Sequence, residues 1–299
     1  MFETIVPLLV DGLAGAALVF LVAVGLTLVF SVLRVLNVAH GSFFAIGAYA
    51  AVSLSLWLIS ARWPPGLTFV ALFLGAALVA CLIGPLIERT LIRWTYGKSE
   101  ALQILVTFGL FLILEDLQRL VFGVNSLYED TPARLLGSIQ IGGVVYLSYQ
   151  LVLIVLAVVL LVGLKLFIGH TRIGKLIAAV VADREVSQAV GINTNRVFTI
   201  AFTLGVFLAA LGGALTVPQA GVAPGLGADT MVMAFAVAAI GGLGKIEGAA
   251  IAALIVALAR VFAVYFAPEL DAVAPYLVML LVLLFRPYGL FGSEATRKI

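Results

Sequence analysis

The feature that most limits this chain is a succession of apolar segments. They cover about 6–33, 42–60, 67–87, 101–122, 148–167, 198–217, 230–240, 249–266 and 273–285 of the 299 residues. A helix rises 1.5 Å per residue, so about 20 apolar residues cross the roughly 30 Å hydrocarbon core of a bilayer. Only 11% of the residues are charged, against roughly 25% in a soluble domain. So few charges cannot coat a globular surface. The chain reads as an all-α polytopic membrane protein, a single transmembrane domain over residues 1–299 with about 8–9 spanning helices. Nine segments are counted, and eight is equally defensible if 230–240 enters without crossing. The first segment is longer than a bilayer needs, so it tilts or emerges. The opening MFETIVPLLVDG lacks a basic n-region, which predicts no cleaved signal peptide.

Lys and Arg set the orientation. With the polar stretches 88–100 and 169–197 in the cytoplasm, alternation puts 13 of the 17 Lys and Arg inside. Arg62, Arg119, Arg134 and Arg260 fall outside, together with the acids Glu129, Asp130, Glu269 and Asp271. The positive-inside rule prefers this arrangement over its inverse, with the N-terminus outside and the C-terminus cytoplasmic. Trp57, just before the ARWPPG loop, and Trp63, within it, read as interface anchors.

Polar interruptions mark the candidate sites. Residues 25–50 read GLTLVFSVLRVLNVAHGSFFAIGAYA, with Arg34, Asn37, His40, Gly41 and Ser42 where a spanning helix carries Leu or Val. Such groups lie at a boundary, in protein or against water. Two readings stay open. One is a cytoplasmic turn in which Ser42 caps the next helix. The other is a broken helix reaching into the bundle, whose residues meet a solute only if the break lies well inside the bilayer. The stretch 234–256 echoes the pattern around Gly241, Gly242 and Gly244. It reads either as an internal repeat with a site between the halves or as tight packing through small faces.

The stretch 169–197 predicts one short amphipathic helix over 173–190. Ile177, Val180, Val181, Val186 and Val190 share its apolar side, and Asp183, Arg184, Glu185 and Gln188 face out. Gly191 ends it and Asn193 follows in a turn. Such a loop is either a docking point for a cytosolic partner or an interfacial anchor. Glu115 and Asp116 are adjacent carboxylates inside an apolar run. They serve an ion relay, or form a solvated group with Arg119 four residues on. Cys81 reads as a packed hydrophobe. One Cys and two His offer no metal cluster. No GxxxxGK[ST] loop occurs, and GGLGKIEG follows no strand, so any ATP is hydrolysed by another subunit.

Several motifs in order resemble the LivH-type permeases of the branched-chain amino acid ABC importers. They are GLTLVFSVLRVLNVAHGSFFAIGAYAA, IERTLIR, AVGINTNRV, AFAVAAIGGLGKIEGAAIAALIVALA and the closing RPYGLFG. The resemblance covers nearly the whole chain. It implies a multi-pass inner-membrane permease that is not an enzyme and has no cofactor. Its implied partners are a second, LivM-like permease, two cytoplasmic ATPase subunits and a periplasmic substrate-binding protein, with no nucleic acid. It implies ATPase coupling through Asp183, Arg184, Glu185, Gly191 and Asn193. The expected path residues are Asn37, His40, Gly41, Ser42, Gly241, Gly242 and Gly244. Where the family carries a YRPLR-like run this chain reads IRWTYGKSE, and Glu115-Asp116 stands in an otherwise amide-rich place. The solute is a branched-chain amino acid, another amino acid, urea or another small polar organic. The alternative is a secondary transporter or channel using Glu115 and Asp116 for ion coupling.

Overall fold

The computed structural model describes residues 2–141 and 144–292. Twelve α-helices account for most of the described residues. They are α1 (Phe2–Leu33), α2 (His40–Ser60), α3 (Leu67–Thr90), α4 (Glu100–Phe122), α5 (Thr131–Leu136) and α6 (Ser148–His170), then α7 (Arg172–Ala182), α8 (Arg184–Ala189), α9 (Thr194–Ala220), α10 (Leu226–Gly241), α11 (Ile246–Phe266) and α12 (Ala274–Phe285). Six of them, α1, α2, α3, α6, α9 and α11, are long and apolar enough to cross a membrane. Helices α10 and α12 are apolar but shorter. Helix α4 is 23 residues long, about 35 Å, with Glu115, Asp116 and Arg119 in its second half.

Packing explains the order of burial. Helices α1 and α9 are the most enclosed, whereas α6 turns nearly all of its surface outward. Lipid tails are as apolar as Leu, so helix association relies on close backbone approach at small residues. Gly25 of α1 meets Gly205 of α9, and Gly47 of α2 meets Ala210. Phe43 and Phe202 fill the space between α2 and α9 edge-to-face at 5.9 Å.

Contacts sort the helix ends into two sets. At one end Asp11 accepts hydrogen bonds from Gln150 of α6 (2.9 Å) and Tyr265 of α11 (2.9 Å). Arg260 pairs with Asp271 at 2.8 Å on the same side as this α11 terminus. At the opposite end Lys165 of α6 lies 3.6 Å from Glu247 of α11. There the Leu290 N–H donates to the Ile240 carbonyl at 2.7 Å. The closing RPYGLFG segment thereby satisfies carbonyls that the end of α10 leaves open. Arg297 and Lys298 of the basic tail lie outside the described residues.

Three local expectations are corrected. The stretch 138–147 forms a small antiparallel hairpin, Ser138–Ile141 against Val144–Leu147, in a chain read as wholly helical. Cys81 is exposed on the outer face of α3 rather than packed. The single helix read over 173–190 is two, because Asp183 takes extended backbone and its Oδ1 accepts the Val186 N–H at 2.9 Å, capping α8.

Candidate functional site

The first interruption runs back into the bundle. Helix α1 ends at Leu33, and Arg34 takes a left-handed turn with φ 55°. Residues 34–39 carry no helix, and α2 opens at His40. The His40 Nε2–H donates to the Val22 carbonyl at 3.2 Å, and the ring sits beside Gly25. Val22 lies some 16 Å back along α1 from its end. The chain therefore folds back alongside α1, and the first turn of α2 begins deep in the bundle. The plain turn at the helix ends is not what forms.

Side chains hold this segment in place. Thr107 of α4 accepts the Val38 N–H at 3.2 Å. Its hydroxyl proton has three carbonyls within reach, Gln103 at 2.8 Å and Leu36 and Ile104 at 3.2 Å. Asn37 Oδ1 accepts the Ala39 N–H at 3.1 Å. Ser42 does not cap α2: the cap position is Ala39, whose methyl side chain accepts no capping hydrogen bond. Asn37, His40 and Ser42 are buried. Asn37 Nδ2, His40 Nδ1 and Ser42 Oγ have no hydrogen-bond partner among the described residues. Each such buried group costs about 1–3 kcal/mol.

Gly41 brings a second helix start to the same place. A Cβ there would fall on the Gly227 carbonyl of α10. The N-terminal turns of α2 and α10 thus meet inside the bundle, both presenting the positive end of a helix dipole.

The second interruption is built differently. Gly241 closes α10 and packs on the backbone of Gly248. Gly242 and Gly244 turn the chain into α11 with φ 91° and 89°, and Gly244 rests on Ser31 near the end of α1. The structure thus brings Asn37, His40, Gly41 and Ser42 together and leaves Gly241, Gly242 and Gly244 at the helix ends.

The candidate coupling residues cluster on α7, α8 and the start of α9. Ile177 and Val180 of α7 are buried, as the amphipathic pattern predicts. Val186 and Val190 are 58% and 71% exposed, because the break at Asp183 redirects α8. They stand beside exposed Glu185. The Arg184 guanidinium lies 4.9 Å above the Phe198 ring, a cation–π contact. Gly191 takes φ 87° and Asn193 Oδ1 caps α9 through the Arg196 N–H at 3.0 Å.

Beneath these helices lies a network that the sequence pattern did not reveal. Glu88 is fully buried at the end of α3. It pairs with Arg93 at 2.9 Å and accepts from Tyr96 (2.8 Å) and Thr199 (2.7 Å). Burial and the Glu88 carboxylate push the Tyr96 hydroxyl above its usual range, which keeps it a donor. The signal was a lone carboxylate followed five residues later by Arg, but its partner Thr199 is 111 residues away. Glu115 and Asp116 both meet Arg119, at 2.7 and 3.6 Å, and Asp116 is 74% exposed.

Residues 8–283 match the protein family described as branched-chain amino acid transport system / permease component. The chain is 30% identical to the high-affinity branched-chain amino acid transport system permease protein BraD of Pseudomonas aeruginosa, over 97% of both chains. It is 29% identical to LivH of Salmonella typhimurium, over 93% of this chain and 92% of that one. Identity to LivH of Escherichia coli K12 is 28% with the same coverage. A multi-pass membrane protein with these apolar spans, this chain belongs to the family of permease components of branched-chain amino acid transport systems.

Proposed function

We propose that this chain is the membrane-spanning permease subunit of a binding-protein-dependent ABC importer in the cell inner membrane. It moves branched-chain or other small polar amino acids, driven by ATP that partner subunits hydrolyse. The observation that carries this reading is family membership over residues 8–283. The working complex holds a second, LivM-like permease, two cytoplasmic ATPase subunits and a periplasmic binding protein. Nine segments cross, with the N-terminus outside and the C-terminus cytoplasmic. The two sets of helix ends support that count, since Asp11, Gln150 and Tyr265 meet at one end and Lys165 and Glu247 at the other.

The α7–α8 pair then faces the cytoplasm. Glu185, Val186 and Val190 form the surface that an ATPase subunit covers. Asp183, Gly191 and Asn193 fix the backbone that presents it, and Arg184 ties it to α9. Motion of that surface reaches the path through α9, which packs on Gly25, Gly47 and Glu88. The path runs past Asn37, His40, Gly41 and Ser42. The orphaned polar atoms there meet a polar solute when α2 and α10 separate, and the two helix N-termini favour its carboxylate. Gly241, Gly242 and Gly244 act as the hinge at the cytoplasmic end. Ion coupling through Glu115 and Asp116 has less support, because Arg119 already neutralises part of that charge.

Uptake of radiolabelled leucine into proteoliposomes tests the reading. Transport is expected only with both permeases, the ATPase subunits, ATP and the binding protein. Undiminished uptake by this chain alone, driven by a proton or sodium gradient, would contradict it.

A further inference from the structure

One cavity is used neither by the path nor by the exposed face of α8. It lies at the Glu88 end of the bundle, has a volume of about 440 Å³, and is lined by Arg89, Arg93, Asn193, Asn195, Arg196 and Thr199. Its charge is unbalanced. Arg93 spends its guanidinium on Glu88, through Nε to Oε1 at 3.2 Å and Nη2 to Oε2 at 2.9 Å. Arg89 and Arg196 have no carboxylate at ion-pair distance among the described residues. Asn193 uses its oxygen to cap α9, which leaves its amide N–H groups as donors. Two free guanidinium forks and an amide suit a phosphate group, which accepts several charge-assisted bonds at once.

An apolar track on α3 ends at Arg89, which lines the cavity. On α3, Leu74, Leu78, Leu82 and Leu86 follow one another at four-residue spacing and are 47%, 46%, 68% and 60% exposed. Four-residue spacing puts them on one helix face, and Arg89 follows Leu86 by three on that same side. Trp94, 83% exposed, follows in the short helical turn after α3, as an interfacial aromatic would. A free anion has no use for such a track. An acidic protein segment approaching from solvent has none either. A phosphate attached to hydrocarbon chains fits both parts.

We propose that the Arg89–Arg196 cavity binds the phosphate headgroup of an anionic phospholipid, with an acyl chain lying along Leu74, Leu78, Leu82 and Leu86. The assignment to the cytoplasmic leaflet rests on the orientation proposed above. The lipid ties the end of α3 to the start of α9, next to the coupling helices.

The test is native mass spectrometry of the full chain released from nanodiscs of equal phosphatidylglycerol and phosphatidylcholine. The wild-type chain is expected to retain the anionic lipid about tenfold over the zwitterionic one. Arg89→Gln with Arg196→Gln brings the ratio to parity. Lys98→Gln with Arg286→Gln, which removes the same charge at residues that do not line the cavity, leaves it high. Should the double variant not fold, each single Gln substitution is expected to cut the preference about fivefold. An unchanged ratio in the variants overturns the proposal. So does displacement of the lipid by excess inorganic phosphate, which marks a free-anion site. Loss of ATPase co-purification with lipid retention intact also overturns it, marking a protein-docking site. Absence of ATP-driven uptake with lipid preference retained would instead sink the importer reading and spare this one.

Discussion

The two interruptions that look alike in the sequence are held by different physics. After α1, residues 34–39 fold back into the bundle, and side chains from a distant helix satisfy their backbone. Thr107 serves both Leu36 and Val38, and His40 reaches Val22. Between α10 and α11, residues 242–245 turn at the bundle end. That turn relies on glycine backbone and on the returning C-terminal segment, whose Leu290 and Phe291 amides bond Ile240 and Gly241. The first break carries orphaned polar atoms in the interior. The second is made by backbone alone, through positive φ at Gly242 and Gly244 and amide bonds from the C-terminal segment. A deep break built from side chains is suited to opening around a solute, and a glycine turn at the end is suited to hinging.

Substitutions can break that contrast. The largest effect is expected at Gly41→Val, whose side chain would collide with the Gly227 backbone. It should cost about 3 kcal/mol or more and abolish uptake, read from thermal melts in detergent and transport assays. Gly244→Val, strained by its φ but facing open contact with Ser31, should impair uptake far less. Equal losses would remove the distinction in depth. Leu290→Pro deletes the donor to Ile240 and should destabilise by about 2–3 kcal/mol. Hydrogen exchange should rise at the end of α10 and stay unchanged at His40. Thr107→Val does the reverse, leaving the Val38 N–H unpartnered at a cost of about 1–2 kcal/mol, with exchange rising over 36–40 alone. Arg34→Gly is the mildest. It relieves a left-handed residue worth about 1 kcal/mol, and a melt raised slightly or unchanged is expected.

The spans were legible because bilayer thickness dictates their length. The amphipathic pattern of α7 was legible for a similar reason, since burial of Ile177 and Val180 follows from periodicity alone. The depth of the first break was not legible. It depends on where Thr107 and Val22 stand relative to His40, and nothing local encodes a contact across 69 or 18 residues. The division between α7 and α8 could have been read from Asp183, a residue that favours helix caps. Treating 173–190 as one helix hid the exposure of Val186 and Val190. The buried Glu88 was hidden by its place in a basic loop, where a carboxylate looks solvated. Its burial becomes visible only once Arg93, Tyr96 and Thr199 converge on it.

The central claim is that the buried break at 34–42 opens during transport. Thiol labelling in a Cys81→Ser background measures this directly. Ser42→Cys should resist a small water-soluble thiol reagent at rest and react during ATP-driven turnover with binding protein and solute. Ser31→Cys, near the bundle end, should react in both states. Labelling of Ser42→Cys that is as fast at rest as in turnover, or absent in both, would contradict the account.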